Sequence, residues 1–323
     1  MTTTNFPRQR ALVRMTATPA RRVLLITAFV FSAPALSGCR SVALSFAADA
    51  AAHSGTSYAS DDDLELVRAA VPFGLKTMEG LLEEKPRHEE LLTALAGGFT
   101  QYGYAFVQSD ADLADLEGKL DVARAGRERA RALYLRARDY GLRGLDARVR
   151  GSAGRLRAGL AEARAALAKT RKRDVPLLYW TASAWALAIA SSKGDMALVA
   201  ELPVPVAMME RALELDEGWN DGAIHEFFVV YDATRSAAEG GGPERVRAHL
   251  ERVAALSMNK KLGPRVSFAE GVLVQRQDRE AFTRVLEEVL RANPGEVPRF
   301  RLANILAQRR AKALLAHADD LFL

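Results

Sequence analysis

The sequence predicts an all-α fold, and three observations indicate it. Apolar residues recur every three or four positions along most of the chain, which places them on one face of a helix. The alternation typical of a strand is nearly absent, and its best candidate, residues 227–230, fits a buried helix equally well. Glycines and prolines divide the chain into segments of helical length, so we expect antiparallel helix pairs joined by short turns.

The first element in chain order is an export signal, predicted over residues 1–38. Arg21 and Arg22 precede a short apolar run, and small residues follow it, which is the order found in a signal peptide. The apolar stretch 23–36 is too short to cross a bilayer as a helix. Met1 and Met15 both remain open as the start of translation, because a start at Met15 leaves a charged region of ordinary length.

Cys39 is the only cysteine in the sequence, and we predict that it carries lipid. The preceding residues, Leu36-Ser37-Gly38, are similar to a bacterial lipobox. The alternative is an incidental, buried cysteine. Two or three acyl chains would give a durable membrane anchor. Residue 40 is an arginine where an aspartate would signal retention, and this resemblance to the lipoprotein sorting pattern favours the outer membrane. The expected mature protein is a periplasmic lipoprotein.

The mature chain is predicted to hold a tether over residues 39–60 and a helical domain over residues 61–323. Acidic residues 61–63 are expected to cap the first domain helix, because carboxylates accept from the free amides at a helix start. Two predicted helix ends share one spacing: Gly74, Met78, Leu81 and Pro86, and Phe282, Leu286, Val289 and Pro294. This pattern resembles the end of a tetratricopeptide repeat. It favours a tetratricopeptide-like helical-repeat solenoid over an up-and-down bundle.

Charge is unevenly distributed along the chain. Residues 1–38 hold five arginines and no acid, whereas the remainder holds 40 basic and 40 acidic residues, so we expect no nucleic-acid partner. Residues 61–117 are acidic and residues 121–173 are rich in arginine. Solvated faces that pair with each other would explain this segregation, and a basic face for an acidic partner or lipid headgroups is the alternative.

Catalytic and metal-binding motifs are missing, so we expect neither an enzyme nor a cofactor. His225-Glu226 opens like a zinc-protease motif, but Val229 stands where the second histidine ligand belongs. The five histidines are dispersed and the single cysteine makes a cysteine-based metal cluster impossible. The glycine run 240–242 lacks the third glycine of a dinucleotide fingerprint and is predicted to be a turn.

An aromatic concentration on one alanine-rich segment, residues 177–190, supplies the candidate binding residues. The segment is apolar around most of its circumference and too short to span a membrane, so we expect a central helix. Ordinary core packing of aromatic rings against small residues would explain it. The alternative is an apolar ligand cavity. Its candidate lining residues are Tyr179, Trp180, Trp185, Trp219 and His225.

Short motifs occur in order along the mature chain, at residues 62–73, 75–79, 99–102, 136–142, 179–182, 222–226, 302–304, 309–311 and 314–315. Together they resemble the TatT component family of TRAP transporters. The resemblance covers the chain from about residue 61 to its end, and the order of the motifs is more specific than any one of them.

The resemblance implies a membrane-tethered periplasmic lipoprotein that forms a homo-oligomer, with a trimer as the implied state, and associates with a solute-binding P component. It also implies an internal passage for an apolar or organic-acid ligand. Two other functions stay open at this point. One is a general scaffold lipoprotein for envelope assembly, and the other is a hydrophobic-ligand carrier that acts alone.

Overall fold

The computed structural model describes residues 55–323 except Lys193. The predicted signal peptide and Cys39 therefore lie outside the described residues, as does most of the predicted tether. Within the described part of the chain every regular element is a helix, and no strand occurs. The fold is thus an all-α helical-repeat fold, as the periodicity predicts.

The helices of the N-terminal part are α1 (Gly55–Ala59), α2 (Leu64–Glu84), α3 (Glu89–Tyr102), α4 (Ser109–Leu116), α5 (Leu120–Arg148), α6 (Ser152–Ala158) and α7 (Leu160–Leu167). Those of the C-terminal part are α8 (Val175–Ala190), α9 (Met196–Val199), α10 (Pro203–Leu215), α11 (Ala223–Ala233), α12 (Pro243–Leu256), α13 (Gly263–Phe268), α14 (Arg279–Arg291), α15 (Arg301–Ala316) and α16 (Ala318–Leu321). Two π-helical segments, Gly103–Gln108 and Ala269–Leu273, continue α3 and α13.

Helix ends follow the chemistry of the sequence. The Asp63 carboxylate accepts hydrogen bonds of 3.0 Å from the amides of Glu65 and Leu66, which confirms the predicted acidic cap of α2. Helices α2 and α14 both end before the prolines that the spacing identified as stops. The glycine run 240–242 is a turn, with Gly240 and Gly242 at positive φ.

Consecutive helices pack on each other as pairs, namely α2 with α3, α11 with α12, and α14 with α15. The long helix α5 packs against both α3 and α8, which also contact each other. Gly141 of α5 allows this approach, because a Cβ there would lie 2.0 Å from the Thr181 hydroxyl oxygen on α8. Helix α8 is buried on several sides, in agreement with the prediction of a central helix.

The arginine-rich stretch pairs with the acidic stretch before it. Arg127 and Arg148 of α5 reach Asp115 at 2.7 Å and Glu89 at 2.8 Å. Arg136, also on α5, pairs with Glu79 of α2, whose side chain is buried. These contacts support the interpretation of charge segregation as pairing between helix faces.

Helix α1 lies inside the segment predicted as a tether and packs against α15. Arg301 at the start of α15 donates a hydrogen bond of 3.2 Å to the Ser60 carbonyl just after α1. The apolar cores lie in four clusters formed by helices α2–α16. No described helix combines the length and apolar character needed to cross a bilayer.

Candidate functional site

Three of the five predicted lining residues form one aromatic cluster. The ring of Tyr179 lies 4.9 Å from that of Trp180 and 4.5 Å from that of Trp219, measured between ring centroids. The two indoles lie 6.2 Å apart in an edge-to-face arrangement. All three side chains are half-buried. They therefore form a shared aromatic surface with part of each ring left uncovered.

A strained turn brings Trp219 to the aromatic pair on α8. Trp219 begins a short 3-10 segment in which Asn220 and Asp221 have φ of 47° and 52°, which costs energy for side chains with a Cβ. Lys261 donates to the Asn220 carbonyl at 2.7 Å, and Arg299 pairs with Asp221 through two hydrogen bonds of 3.0 Å. These two cations hold the turn in place.

Helix α3 contacts the aromatic cluster at Gly97, where the absence of a side chain leaves room for an aromatic ring. A Cβ at Gly97 would lie 3.0 Å from the indole of Trp180, so glycine lets the α3 backbone approach the ring. Tyr104 comes seven residues later, about two helical turns along the same side. Gly97 and Tyr104 therefore place the aromatic cluster and the first π-helical segment on one side of the same helix.

Tyr104 lies on the first π-helical segment and is 55% exposed. Burial raises the pKa of its hydroxyl, and Glu270 raises it further. The charges that act on its pKa come from distant parts of the chain: Glu270, Arg310, Asp112 and Glu226.

Glu270, Arg310 and Glu226 each take part in an ion pair. Glu270 lies on the second π-helical segment and accepts hydrogen bonds from Nε and Nη2 of Arg310 on α15. Glu226 of α11 accepts from Lys261 Nζ at 2.6 Å. Burial raises the pKa of Asp112 on α4, even though Arg310 and Arg127 act in the opposite direction. A carboxylate between two arginines is thus costly to ionise here.

The charged groups and the aromatic cluster lie within electrostatic reach of each other. Burial raises the pKa of Tyr179, and Glu226 and Tyr104 also raise it. We call this set of residues the interior cluster, and its members are Tyr104, Asp112, Tyr179, Trp180, Trp219, Glu226, Glu270 and Arg310. Both π-helical segments contribute a member, and π-helical turns recur at functional sites because they reorient a side chain within a helix.

Trp185, another predicted lining residue, lies in the core. Its side chain is 1% exposed, and the indole N–H donates to Glu201 at 2.7 Å. Arg138 stacks over its ring at 5.3 Å from the centroid. Trp185 is five residues from Trp180 on α8, so the two indoles point to different sides of the helix, as the sequence spacing predicts.

His225 belongs to a separate polar group between α11 and α12. Its Nδ1 lies 2.8 Å from Nδ1 of His249, and its Nε2 lies 3.2 Å from a Glu217 carboxylate oxygen. The His249 ring stacks on Phe228 with centroids 5.1 Å apart. Burial lowers the pKa of both histidines, to about 4 for His249. The structure thus places His225 in a helix contact, separate from the three clustered aromatic rings.

The sequence analysis missed Tyr104, Asp112, Glu270 and Arg310. Each stands among many residues of its own type, and they come from four segments, the outermost of which are more than 200 residues apart. No motif or spacing joins them. Only the packing of α4 and the second π-helical segment near α15 brings the charges together.

Two open grooves lie elsewhere on the described surface. One, of about 420 Å³, is bordered by Leu160, Val206 and Tyr231, and the other, of about 300 Å³, by Ala233 and Pro243. Neither is lined by the aromatic cluster. Among residues 55–323 without Lys193, no three or more His, Cys, Asp or Glu side chains are grouped as metal ligands.

The fold and this interior cluster define a helical-repeat protein in which aromatic and ion-paired side chains converge. Comparison with known families assigns it further: the family model of the TRAP transporter T-component matches residues 60–322, and the chain belongs to that family. This is a family of accessory subunits of TRAP transporters. The chain is also 29% identical over 267 residues to an uncharacterized protein of Treponema pallidum (strain Nichols), an alignment that covers 82% of each chain.

Proposed function

We propose that this protein is the lipid-anchored periplasmic T subunit of a TRAP-type uptake system. In this proposal it docks a solute-binding P component at the membrane and passes an apolar or organic-acid ligand along the interior cluster. It works without catalysis, as a homo-oligomer and with a trimer as the first candidate. Family membership supports the transport setting. The predicted signal peptide and the lipobox at Cys39 support the periplasmic face of a membrane, with the outer membrane favoured.

The interior cluster is the observation that carries the ligand part of the proposal. A protein that served only as a scaffold would have no need to leave Tyr179, Trp180 and Trp219 partly uncovered around one point. Aromatic surface beside a few oriented polar groups is the ordinary composition of a small-molecule site. Tyr104, which is 55% exposed, adds a hydroxyl that can donate or accept a hydrogen bond.

Lipid anchoring explains how a subunit without a described membrane-crossing helix would act at a membrane. Confinement to the membrane surface raises the local concentration of the subunit near the other transport components. Helical repeats present extended surfaces on which a partner protein can be held. The anchor and the repeats would together keep the P component close to its membrane partners.

Co-purification tests the docking part. The chain from Arg40 onward, which contains the core clusters of the described residues and lacks the predicted lipidation site, is mixed with a P component of a TRAP system from the same organism. We expect one complex in size-exclusion chromatography, and native mass spectrometry of the T subunit alone should show its oligomeric state and any bound small molecule. Separate elution of the two proteins would contradict docking and favour a scaffold lipoprotein. Bound ligand without docking would favour a carrier that acts alone.

A further inference from the structure

The segment between α5 and α8 carries an excess of positive charge. Residues 150–173 include eight arginines and lysines and one acid, Glu162. This segment forms α6 and α7, which pack on each other, and the loop that leads into α8. Because α6 has seven residues and α7 has eight, each helix is only about 10–12 Å long. The cations are therefore confined to a small part of the molecule.

Ion pairing distinguishes this segment from helix α5, which precedes it. Arg127, Arg136 and Arg148 of α5 each contact a carboxylate of α4, α2 or α3. After α5 this pairing stops for most of the cations. Within the described part of the chain, five of the eight form no ion pair, namely Arg150, Arg155, Arg164, Lys169 and Arg171.

The eight cations are also accessible, and we call them the basic patch. Of the five without an ion pair, four are exposed and Arg155 is half-buried. The other three, Arg157, Lys172 and Arg173, lie 2.7, 3.1 and 3.9 Å from a carboxylate, and their side chains are still 46%, 73% and 71% exposed. The charge of the basic patch therefore faces solvent.

The surface between these side chains consists of small residues. Every exposed, uncharged residue of the segment 150–173 is a glycine or an alanine, and none of its large apolar side chains is exposed. A protein interface is ordinarily centred on large apolar or aromatic side chains and has few lysines at its centre. The basic patch has no such centre, so its composition argues against a protein partner.

A layer of phosphate groups requires only what the basic patch supplies. Clusters of four to eight lysines and arginines bind anionic lipid surfaces through their charge. Six of the eight cations are arginines, whose planar guanidinium can donate two parallel hydrogen bonds to one phosphate. Long basic side chains above a surface of glycine and alanine can reach a headgroup layer without steric hindrance from bulky neighbours.

From this arrangement we infer that the basic patch binds the phosphate headgroups of an anionic lipid surface. Contact is electrostatic and without insertion, because the segment exposes no large apolar side chain. The inference goes beyond the proposed function, since it needs neither the P component nor a transported ligand. Together with acyl chains at Cys39, the basic patch would give a second attachment and so determine which side of the helical domain faces the membrane.

Vesicle sedimentation tests the inference with the chain from Arg40 onward. This chain has 40 basic and 40 acidic residues, so a preference for anionic lipid would have to come from a local patch. The probes are vesicles of phosphatidylcholine and vesicles with about 30% phosphatidylglycerol. We expect at least about tenfold tighter binding to the anionic vesicles at low salt, and loss of this preference in about 1 M salt, where charges are screened. Equal binding to both vesicles at low salt would overturn the inference.

A patch variant locates the binding surface. It replaces four exposed cations that have no ion pair, so the fold loses no such contact: Arg150→Gln, Arg164→Gln, Lys169→Gln and Arg171→Gln. Affinity for the anionic vesicles should fall at least about tenfold. Undiminished affinity in the folded patch variant would contradict the assignment to this surface.

A control variant removes the same charge elsewhere. It also exchanges three arginines and one lysine, all exposed and located on or next to α14 and α15: Arg276→Gln, Arg284→Gln, Arg291→Gln and Lys312→Gln. Its affinity for the anionic vesicles should stay within about twofold of the unmodified chain. An equal loss in both variants would show that total charge, and not the basic patch, determines binding.

An acidic protein partner would give a different result. If anionic vesicles are not preferred and the patch variant no longer elutes with the P component, the basic patch docks a protein and the lipid inference is wrong. If anionic vesicles are preferred while the unmodified chain and the P component elute separately, the lipid inference stands and the proposed docking function fails.

Discussion

The Nδ1 atoms of His225 and His249 lie 2.8 Å apart, so one ring donates and the other accepts. His225 Nε2 also faces Glu217 at 3.2 Å, and His249 Nε2 faces Asp232 at 3.6 Å. Both rings satisfy their shared contact only while at least one of them is neutral, because two protonated Nδ1 atoms would both be donors. The pair joins α11 to α12, so its protonation bears on the stability of this helix pair.

We predict that this histidine pair makes the fold acid-sensitive. The pKa of His249 is about 4, below the ordinary value of 6.5, because burial disfavours its charged form, and the neighbouring His225 lowers it further. Between these pH values an unfolded His249 binds a proton that the folded one does not, so stability falls as pH drops from 6.5 towards 4. The loss from His249 is about 2–3 kcal/mol.

The free energy of unfolding, measured by urea denaturation at several pH values, checks the predicted acid sensitivity. Other groups face the pair from both helices and the preceding turn, namely Glu217, Asp232, Arg245 and Arg252. A variant therefore isolates the histidine contribution. His249→Gln should flatten the acid dependence, since an amide can bond to His225 without titrating, and His317→Gln near the C-terminus should not. An equally steep acid dependence in His249→Gln would refute the prediction.

The tryptophans of α8 should respond differently to removal. Trp185→Ala empties a fully buried core position and should destabilise the fold by about 3–5 kcal/mol. Trp180→Ala removes a half-buried ring of the aromatic cluster, so it should cost less stability and weaken binding of an apolar probe such as 1-decanol. Chemical denaturation and calorimetric titration measure the two effects. An equal loss of stability in both variants, with binding retained in Trp180→Ala, would assign Trp180 to ordinary core packing.

The close packing of α5 against α8 can be tested with one glycine at the contact, Gly141, and one exposed glycine, Gly80, as its control. Gly141→Ala should destabilise by about 1–3 kcal/mol, because its Cβ would overlap Thr181 and lie 3.2 Å from the Thr181 Cα. Gly80→Ala, on the exposed side of α2 with no neighbouring atom within 4 Å, should stabilise by about 0.5–1 kcal/mol. Thermal unfolding should therefore give shifts of opposite sign, and a stabilising Gly141→Ala would show that α5 and α8 can move apart.

Lipid attachment at Cys39 is tested by Cys39→Ser in the full chain. The exchange removes the thiol that accepts the diacylglycerol, so metabolic palmitate labelling and fractionation with membranes should both be lost. A second serine exchange, Thr27→Ser within the apolar run, serves as a control for handling of the signal peptide and should keep both. Labelled, membrane-bound Cys39→Ser protein would exclude this residue as the anchor.

Much of the fold could be predicted because its determinants are local. The period of Phe282, Leu286 and Val289 requires a helix with one buried face, and all three side chains are fully buried. Asp63 caps α2 through its own neighbours in sequence. Residues 227–230, which fit a strand or a helix, are helical in α11 because that segment is packed by α12 and α13.

The candidate site could be predicted only in part, because its residue types are local features and its contacts are not. Composition identified Tyr179, Trp180 and Trp219, but the shared aromatic contact depends on the positive-φ turn at Asn220 and Asp221. Trp185 and His225 are residue types that commonly line ligand sites. Trp185 nevertheless lies in the core, and His225 contacts α12. The sequence gives the type of each side chain, whereas the neighbours that the side chain contacts depend on which helices pack against its own helix.

The sequence by itself determined that this protein is helical, where its helices stop, that its cysteine follows a signal-like segment, and to which family its motifs point. Only the tertiary structure decided that Glu270 pairs with Arg310 across 40 residues of sequence, and that Trp219 meets Tyr179 and Trp180. The physical reason is range: periodicity and capping act over a few residues, while electrostatic pairing between distant segments exists only after the helices have packed.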